Sequence, residues 1–207
     1  MTRIIADISV SLDGFVTGPD PSPDNGLGTR GEALHTWAFS DDPGDRRFLR
    51  EGNARSGAVV LGRHLFDVVD GPKGWDDTSG YGAGEVGEPA FVVVTSSPPE
   101  SVRTTNLDWT LVTTGLPDAV TAARERAGAA SSNSGKDPDV ILMGGGATIG
   151  SALDAGLVDA LTLHLAPIVL GAGTPVFTGG APRAGAAERD LDIDRDAPDL
   201  RRLPVIR

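Results

Sequence analysis

The chain has 207 residues, a formal charge of −11, 39% hydrophobic residues and 5% aromatics. The acidic balance argues against a nucleic-acid partner, which needs a basic face, and the absence of cysteine removes disulfides, thiolate metal centres and cysteine nucleophiles. No window approaches the ~18 apolar residues of a membrane span and no basic-then-apolar leader opens the chain, so a soluble cytoplasmic protein with no membrane partner is expected.

Residues 3–10, with Ile4, Ile5, Ile8 and Val10, carry the first strand signal. Ser11-Leu12-Asp13-Gly14-Phe15 follows, and places Asp13 where that strand ends. A carboxylate there either faces a cleft or makes an Asp-Gly turn. Residues 18–31, rich in proline and glycine, form a loop long enough to be a lid, a binding loop or an insertion. Leu34, Trp37 and Phe39 return to apolar surface, with Trp37 assigned to the core. Residues 42–55 form a helix with Pro43 in the first turn and an apolar side of Phe48, Leu49 and Ala54. Asp45, early in that helix, suits the positive end of its dipole.

Residues 58–61 make a second strand, followed at once by Gly62, Arg63 and His64. An arginine just past a strand and a glycine is either a surface charge or a forked donor for phosphate. The histidines, His35, His64 and His164, are scattered at no metal-ligand spacing, and no metal is expected. After the glycine-rich residues 68–89, a third strand spans 90–94 and ends in Thr95, Ser96 and Ser97, hydroxyls that can cap a turn or hold phosphate or ribose. A fourth strand covers 109–113, a helix covers 116–128, and a Ser/Gly linker covers 129–138.

Val140 to Met143 is a short, apolar, partly β-branched strand bounded by breakers. Gly144, Gly145 and Gly146 follow, and a helical pattern begins near Ala147 and continues through Thr148 and Ile149. Strand, glycine turn and helix start either form a plain tight turn or present backbone N–H groups and a positive dipole end to phosphate. Residues 157–177 then read as strand, kink, strand, with two further strand candidates at 190–194 and 200–206. Strands alternating with helices, then strands alone, give an α/β fold: a central, mostly parallel mixed sheet with antiparallel C-terminal strands and helices on both faces, in one domain over 1–207.

The four polar or glycine-bearing strand ends lie where open α/β sheets bind ligands. In order and content they resemble the dihydrofolate-reductase-like superfamily, with the closest likeness to the reductase domain of the bifunctional riboflavin-biosynthesis deaminase–reductase and its stand-alone relatives. The likeness rests on Ser11 to Phe15, Leu61-Gly62-Arg63-His64, Met143-Gly-Gly-Gly-Ala147 and the run from Pro167 to Phe177. It implies an NADPH-dependent reductase that passes hydride to a C=N or C=O of a small heterocyclic, pterin-like or pyrimidine-like, or sugar-linked substrate. Gly144, Gly145, Gly146, Ala147, Thr148 and Ile149 would hold the cofactor pyrophosphate. Arg63, Ser96 and Ser97 would hold the adenosine 2′-phosphate, and Gly62, His64 and Thr95 complete the cofactor-binding set. Asp13 would lie beside nicotinamide and substrate, and Asp45 sits near the pterin-binding carboxylate of folate reductases. Leu65 stands where those reductases carry threonine. The likeness also implies a homodimer. A nucleotide- or pterin-binding protein with little catalysis, or a flavin-binding α/β protein, are the alternative readings.

Overall fold

The computed structural model describes residues 2–76, 80, 81, 89–131 and 138–177. Its centre is a six-stranded sheet of β1 (Ile4–Ser11), β2 (Ser56–Gly62), β3 (Ala90–Val94), β4 (Trp109–Val112), β5 (Asp139–Gly144) and β6 (Ala160–Ala166). The order across the sheet is β4-β3-β2-β5-β1-β6, and every neighbouring pair runs parallel. Parallel strands covered on both faces need apolar residues at consecutive positions. β2 fits: Ala58, Val59, Val60 and Leu61 are all fully buried.

Alternation sends the even residues of β1 to one face and the odd residues to the other. The even face joins Ile4 and Ala6 to Val60, Val92 and Leu142, under α3 (Leu116–Ser131) and α4 (Gly146–Asp154). α3 meets the sheet with Ala119, Val120, Ala123 and Ala127, small side chains that let helix and strands lie close. On the odd face Phe66, from α2 (Arg63–Val69), packs with Val59, Leu61, Phe91 and Val93. A 3-10 segment, Gly31–Phe39, lies over β1 and β6 on that side, and α2 over β2 and β3, so β5 runs between them. α1 (Pro43–Arg55) buries no residue and rests on the 3-10 segment. Its start is fixed locally: Asp42 accepts N–H bonds from Gly44 and Asp45, and Pro43 occupies the first turn. Such a cap is worth about 1 kcal/mol.

Two expectations change, and one helix is added: Arg63 and His64 open α2 directly after Gly62. Trp37 is half-buried and stacks on His164 instead of filling the core. The strand after residue 157 is β6, parallel to β1; antiparallel pairing among the described residues is confined to the isolated bridges Phe15–Pro175 and Ser22–Asn25. The strand candidates at 190–194 and 200–206 lie outside the described residues. No helix among the described residues is long and apolar enough to cross a membrane.

Candidate active site

The sheet order sets the carboxyl ends of β3, β2, β5 and β1 side by side. At the first two, Arg63 is the tie. Its Nε donates to Asp67 Oδ1 at 2.7 Å, and its Nη1 donates to the Ser97 carbonyl at 2.7 Å and to Thr95 Oγ1 at 3.5 Å. Thr95, buried, gives its hydroxyl to the same Ser97 carbonyl at 2.7 Å and shapes the 95–97 turn. Ser96 and Ser97 are exposed on that turn, and His64 is exposed on α2. The arginine and the hydroxyl turn are therefore brought together, with Nη2 of Arg63 free of partners among the described residues.

One strand over, β5 ends in the glycine turn. Leu61 of β2 lies level with Gly144. Gly144 adopts φ +115, a conformation that glycine tolerates, and the Gly144–Gly145 peptide is cis. α4 starts at Gly146. Thr148 and Ile149 direct their N–H groups to the Gly145 carbonyl at 2.9 and 3.2 Å, while Gly146 and Ala147, the first amides of the helix, have no acceptor within it. The glycines differ in use. A methyl group on Gly145 would meet nothing within 4 Å, whereas one on Gly146 would sit 2.9 Å from Val16 Cγ2 and 3.1 Å from the Pro175 carbonyl. Gly62 is needed for packing, since a Cβ there would fall 2.2 Å from Thr148 Oγ1. Ile149 is fully buried, so its side chain belongs to the core.

Asp13 caps a loop. Its carboxylate accepts N–H bonds from Leu170 at 3.1 Å and Gly171 at 2.7 Å. The Ser11 hydroxyl, helped by these backbone donors, holds the exposed carboxyl below the usual carboxylate range. Asp13 is thus an anion near neutral pH, suited to accepting hydrogen bonds and not to giving a proton. Asp45 is bonded to the Ser40 hydroxyl in the first turn of α1.

The structure adds a cluster that the sequence reading missed. His164, read as isolated, places Nε2 2.6 Å from Asp7 Oδ1. Trp37 stacks on His164 with ring centroids 4.3 Å apart, Phe48 meets both rings edge-on, and Trp37 Nε1 donates to Ser9 Oγ at 3.0 Å. His35 lies near enough to His164 to feel its charge; burial first, then that charge, lowers its pKa. The available signals were Asp7 inside an otherwise apolar strand and His164 alternating with leucines. Among the described residues no group of His, Asp or Glu could hold a metal ion.

Comparison with known proteins gives the family. The RibD C-terminal domain matches residues 2–200. A solved structure of a putative riboflavin biosynthesis protein from Shewanella sp. PV-4 is similar, with 23% identity, TM-score 0.55, and coverage of 87% of this chain and 86% of that one. So is RibD from Acinetobacter baumannii, with 17% identity, TM-score 0.55, and coverage of 89% of this chain and 51% of that one. A deaminase/5-amino-6-(5-phosphoribosylamino)uracil reductase from Thermotoga maritima shows 15% identity, TM-score 0.51, and coverage of 87% of this chain. This chain spans about half the length of those last two, 51% and 50%. No curated protein matches the chain. With its helix-flanked parallel sheet and a match over nearly its whole length, the chain belongs to the RibD C-terminal domain family, the pyrimidine-reductase branch of the dihydrofolate-reductase-like fold, and is an oxidoreductase.

Proposed function

We propose that the protein is an NADPH-dependent reductase that delivers hydride to a C=N or C=O of a pyrimidine-like heterocycle. The observation that carries this reading is the adjacency of two anion-binding groups: Arg63 with the 95–97 turn, and the glycine turn one strand over. An adenosine 2′-phosphate fits the first, through a forked, charge-assisted donor. A pyrophosphate fits the second, since the open space at Gly145 lets it approach the Gly146 and Ala147 amides at a helix start.

NADPH, when bound, supplies the hydride. The chain's own residues orient and exclude. Arg63 is held from two sides, by Asp67 and by the Ser97 carbonyl, so its guanidinium plane is fixed before a ligand arrives. Gly62 against Thr148 locks the start of α4 to the end of β2, which fixes the spacing between the two anion sites. From β3 to β1 is about 14 Å at the usual strand spacing. A dinucleotide anchored by its adenosine end over β3 and β2 therefore carries its reactive end toward β1.

The closing test compares cofactors. NADPH should bind at least ~10-fold more tightly than NADH, a difference of about 1.4 kcal/mol, and Arg63→Ala should remove that preference while leaving NADH affinity nearly unchanged. Equal affinities in the unaltered protein would refute the assignment. We infer a homodimer as well: β6, the edge strand among the described residues, leaves Leu163 41% and Leu165 46% exposed on one face, and contiguous exposed apolar surface marks interaction sites.

A further inference from the structure

Residues 31–55, the 3-10 segment and α1, are held to the sheet by a few side chains. Leu34 is fully buried. Trp37 stacks on His164 of β6 and donates to Ser9 of β1. α1 buries no residue; it rests on the segment and reaches β6 through Phe48, edge-on to the His164 ring. Arg30 turns the chain into the segment with φ 63, a left-handed backbone that residues other than glycine seldom adopt. A unit with so little buried apolar surface can open while the rest of a protein stays folded.

His35 sits inside that attachment. Its Nδ1 is buried and has no hydrogen-bond partner among the described residues. A neutral imidazole tolerates this, because its proton can sit on Nε2 and leave Nδ1 a bare lone pair. An imidazolium does not: it adds a buried N–H without an acceptor and a charge in the same place. The neighbouring elements give that charge no relief. β1 presents Asp7, which is already engaged by His164 of β6, Nε2 to Oδ1 at 2.6 Å. α1 presents Asp45, bonded to Ser40 Oγ, and Arg46, whose Nε donates to the Ser40 carbonyl. The 18–31 loop meets Gly31 through the apolar Leu27, and Glu32 of the segment itself is exposed. Of these groups His164 is the one that acts on His35, and it opposes a second positive charge. A proton taken up by His164 has a carboxylate beside it; one taken up at His35 Nδ1 has no acceptor.

We propose that residues 31–55 are a pH-sensitive flap: in mild acid a proton on His35 releases the 3-10 segment and α1 from β1 and β6, while the sheet, α2, α3 and α4 keep their places. Histidine is the side chain whose charge changes in this range. The direction follows from burial, which, with the His164 charge second, holds the folded His35 below the ordinary histidine value of 6.5. Between those two values the closed flap binds fewer protons than the open one. Attachment is therefore complete above about pH 6.5 and weakens as pH falls below it. With one proton linked, the closed-to-open ratio changes by up to ~10-fold per pH unit in that window. Opening uncovers the odd face at β1 and β6, with Leu34 and Trp37 drawn out of their contacts.

Hydrogen–deuterium exchange of the intact protein, read by mass spectrometry and corrected for the intrinsic pH dependence of amide exchange, tests this. Between about pH 7.5 and pH 5.5, peptides within 31–55 should lose protection by at least ~10-fold, with peptides of β2 and α3 unchanged. His35→Gln, which takes up no proton, should keep the protection of 31–55 constant over the same range. Constant protection of 31–55 in the unaltered protein, an equal loss in β2 and α3, or a loss that persists in His35→Gln would each overturn the proposal. Should His35→Gln fold poorly, the carbon-13 imidazole signal of His35 in the unaltered protein decides. Titration of that signal below about pH 6.5, in step with the lost protection, supports the flap. A His35 signal that does not follow the loss refutes it.

Discussion

Among single residues, Gly145 and Gly146 look interchangeable in sequence and differ in surroundings. Gly145 has φ −70, which alanine accepts, and faces open space; Gly146 is wedged against Val16 and the Pro175 carbonyl. Gly145→Ala is therefore expected to keep the melting temperature within a degree or two and to weaken NADPH at least ~10-fold. Gly146→Ala should lose stability by roughly 1–3 kcal/mol through overpacking, even without cofactor. Melting curves and NADPH titrations of the two variants check this, and a Gly145→Ala protein that binds NADPH normally would take the turn out of the site. Asp13 gives a pH expectation. Its folded pKa lies below its unfolded value, so the folded state gains from it above the ordinary carboxylate range near 4 and loses that gain as pH falls through the depressed value. Asp13→Asn should flatten the acid limb of a melting-temperature profile between about pH 5 and pH 2; an unchanged limb would show that the Leu170 and Gly171 contacts do not respond to its charge.

Among the elements, the strands were the most legible part of the sequence. β2, β3 and β5 are apolar runs ended by glycine or hydroxyl residues, and those endings are what gather at the site. The short helix α2 was hidden. Its seven residues sit between Gly62 and a glycine-rich stretch, and its direction is set by contact of Phe66 with Trp109 and by Asp70. Burial alone would raise the Asp70 pKa, but N–H and O–H bonds from Arg103 and Thr104 outweigh it and lower the value. No local pattern announces such a distant tie. The Asp7–His164 pair was hidden for the same reason: 157 positions separate its members, and only the β1–β6 register joins them. β6, at the edge of the sheet among the described residues, carries an expectation of its own. If Leu163 and Leu165 lie in a dimer interface, Leu165→Asp should halve the mass seen by light scattering at micromolar concentration, with cofactor binding retained. A single-chain mass in the unaltered protein would refute the dimer.

For the molecule as a whole, the arrangement of strands places both proposed anion sites on one rim, from Arg63 and the 95–97 turn to the glycine turn. The opposite rim is stapled by charge: Arg3 holds Asp139 with two bonds, at 3.1 and 2.9 Å, and Asp159 accepts the Ile4 N–H at 2.8 Å. That division leaves one end of the sheet rigid and the other open to ligands. The sheet order also bears on how the chain is made. β5 enters between β1 and β2, and its staple to β1 spans 136 positions. A ribosome delivers β1 to β4 well before β5, so through most of synthesis two apolar strand edges that will become the centre of the sheet stand unpaired. Such edges slow folding and invite sticking to other chains. The same late strand brings the glycine turn, so the proposed pyrophosphate site forms in the step that pairs those two edges.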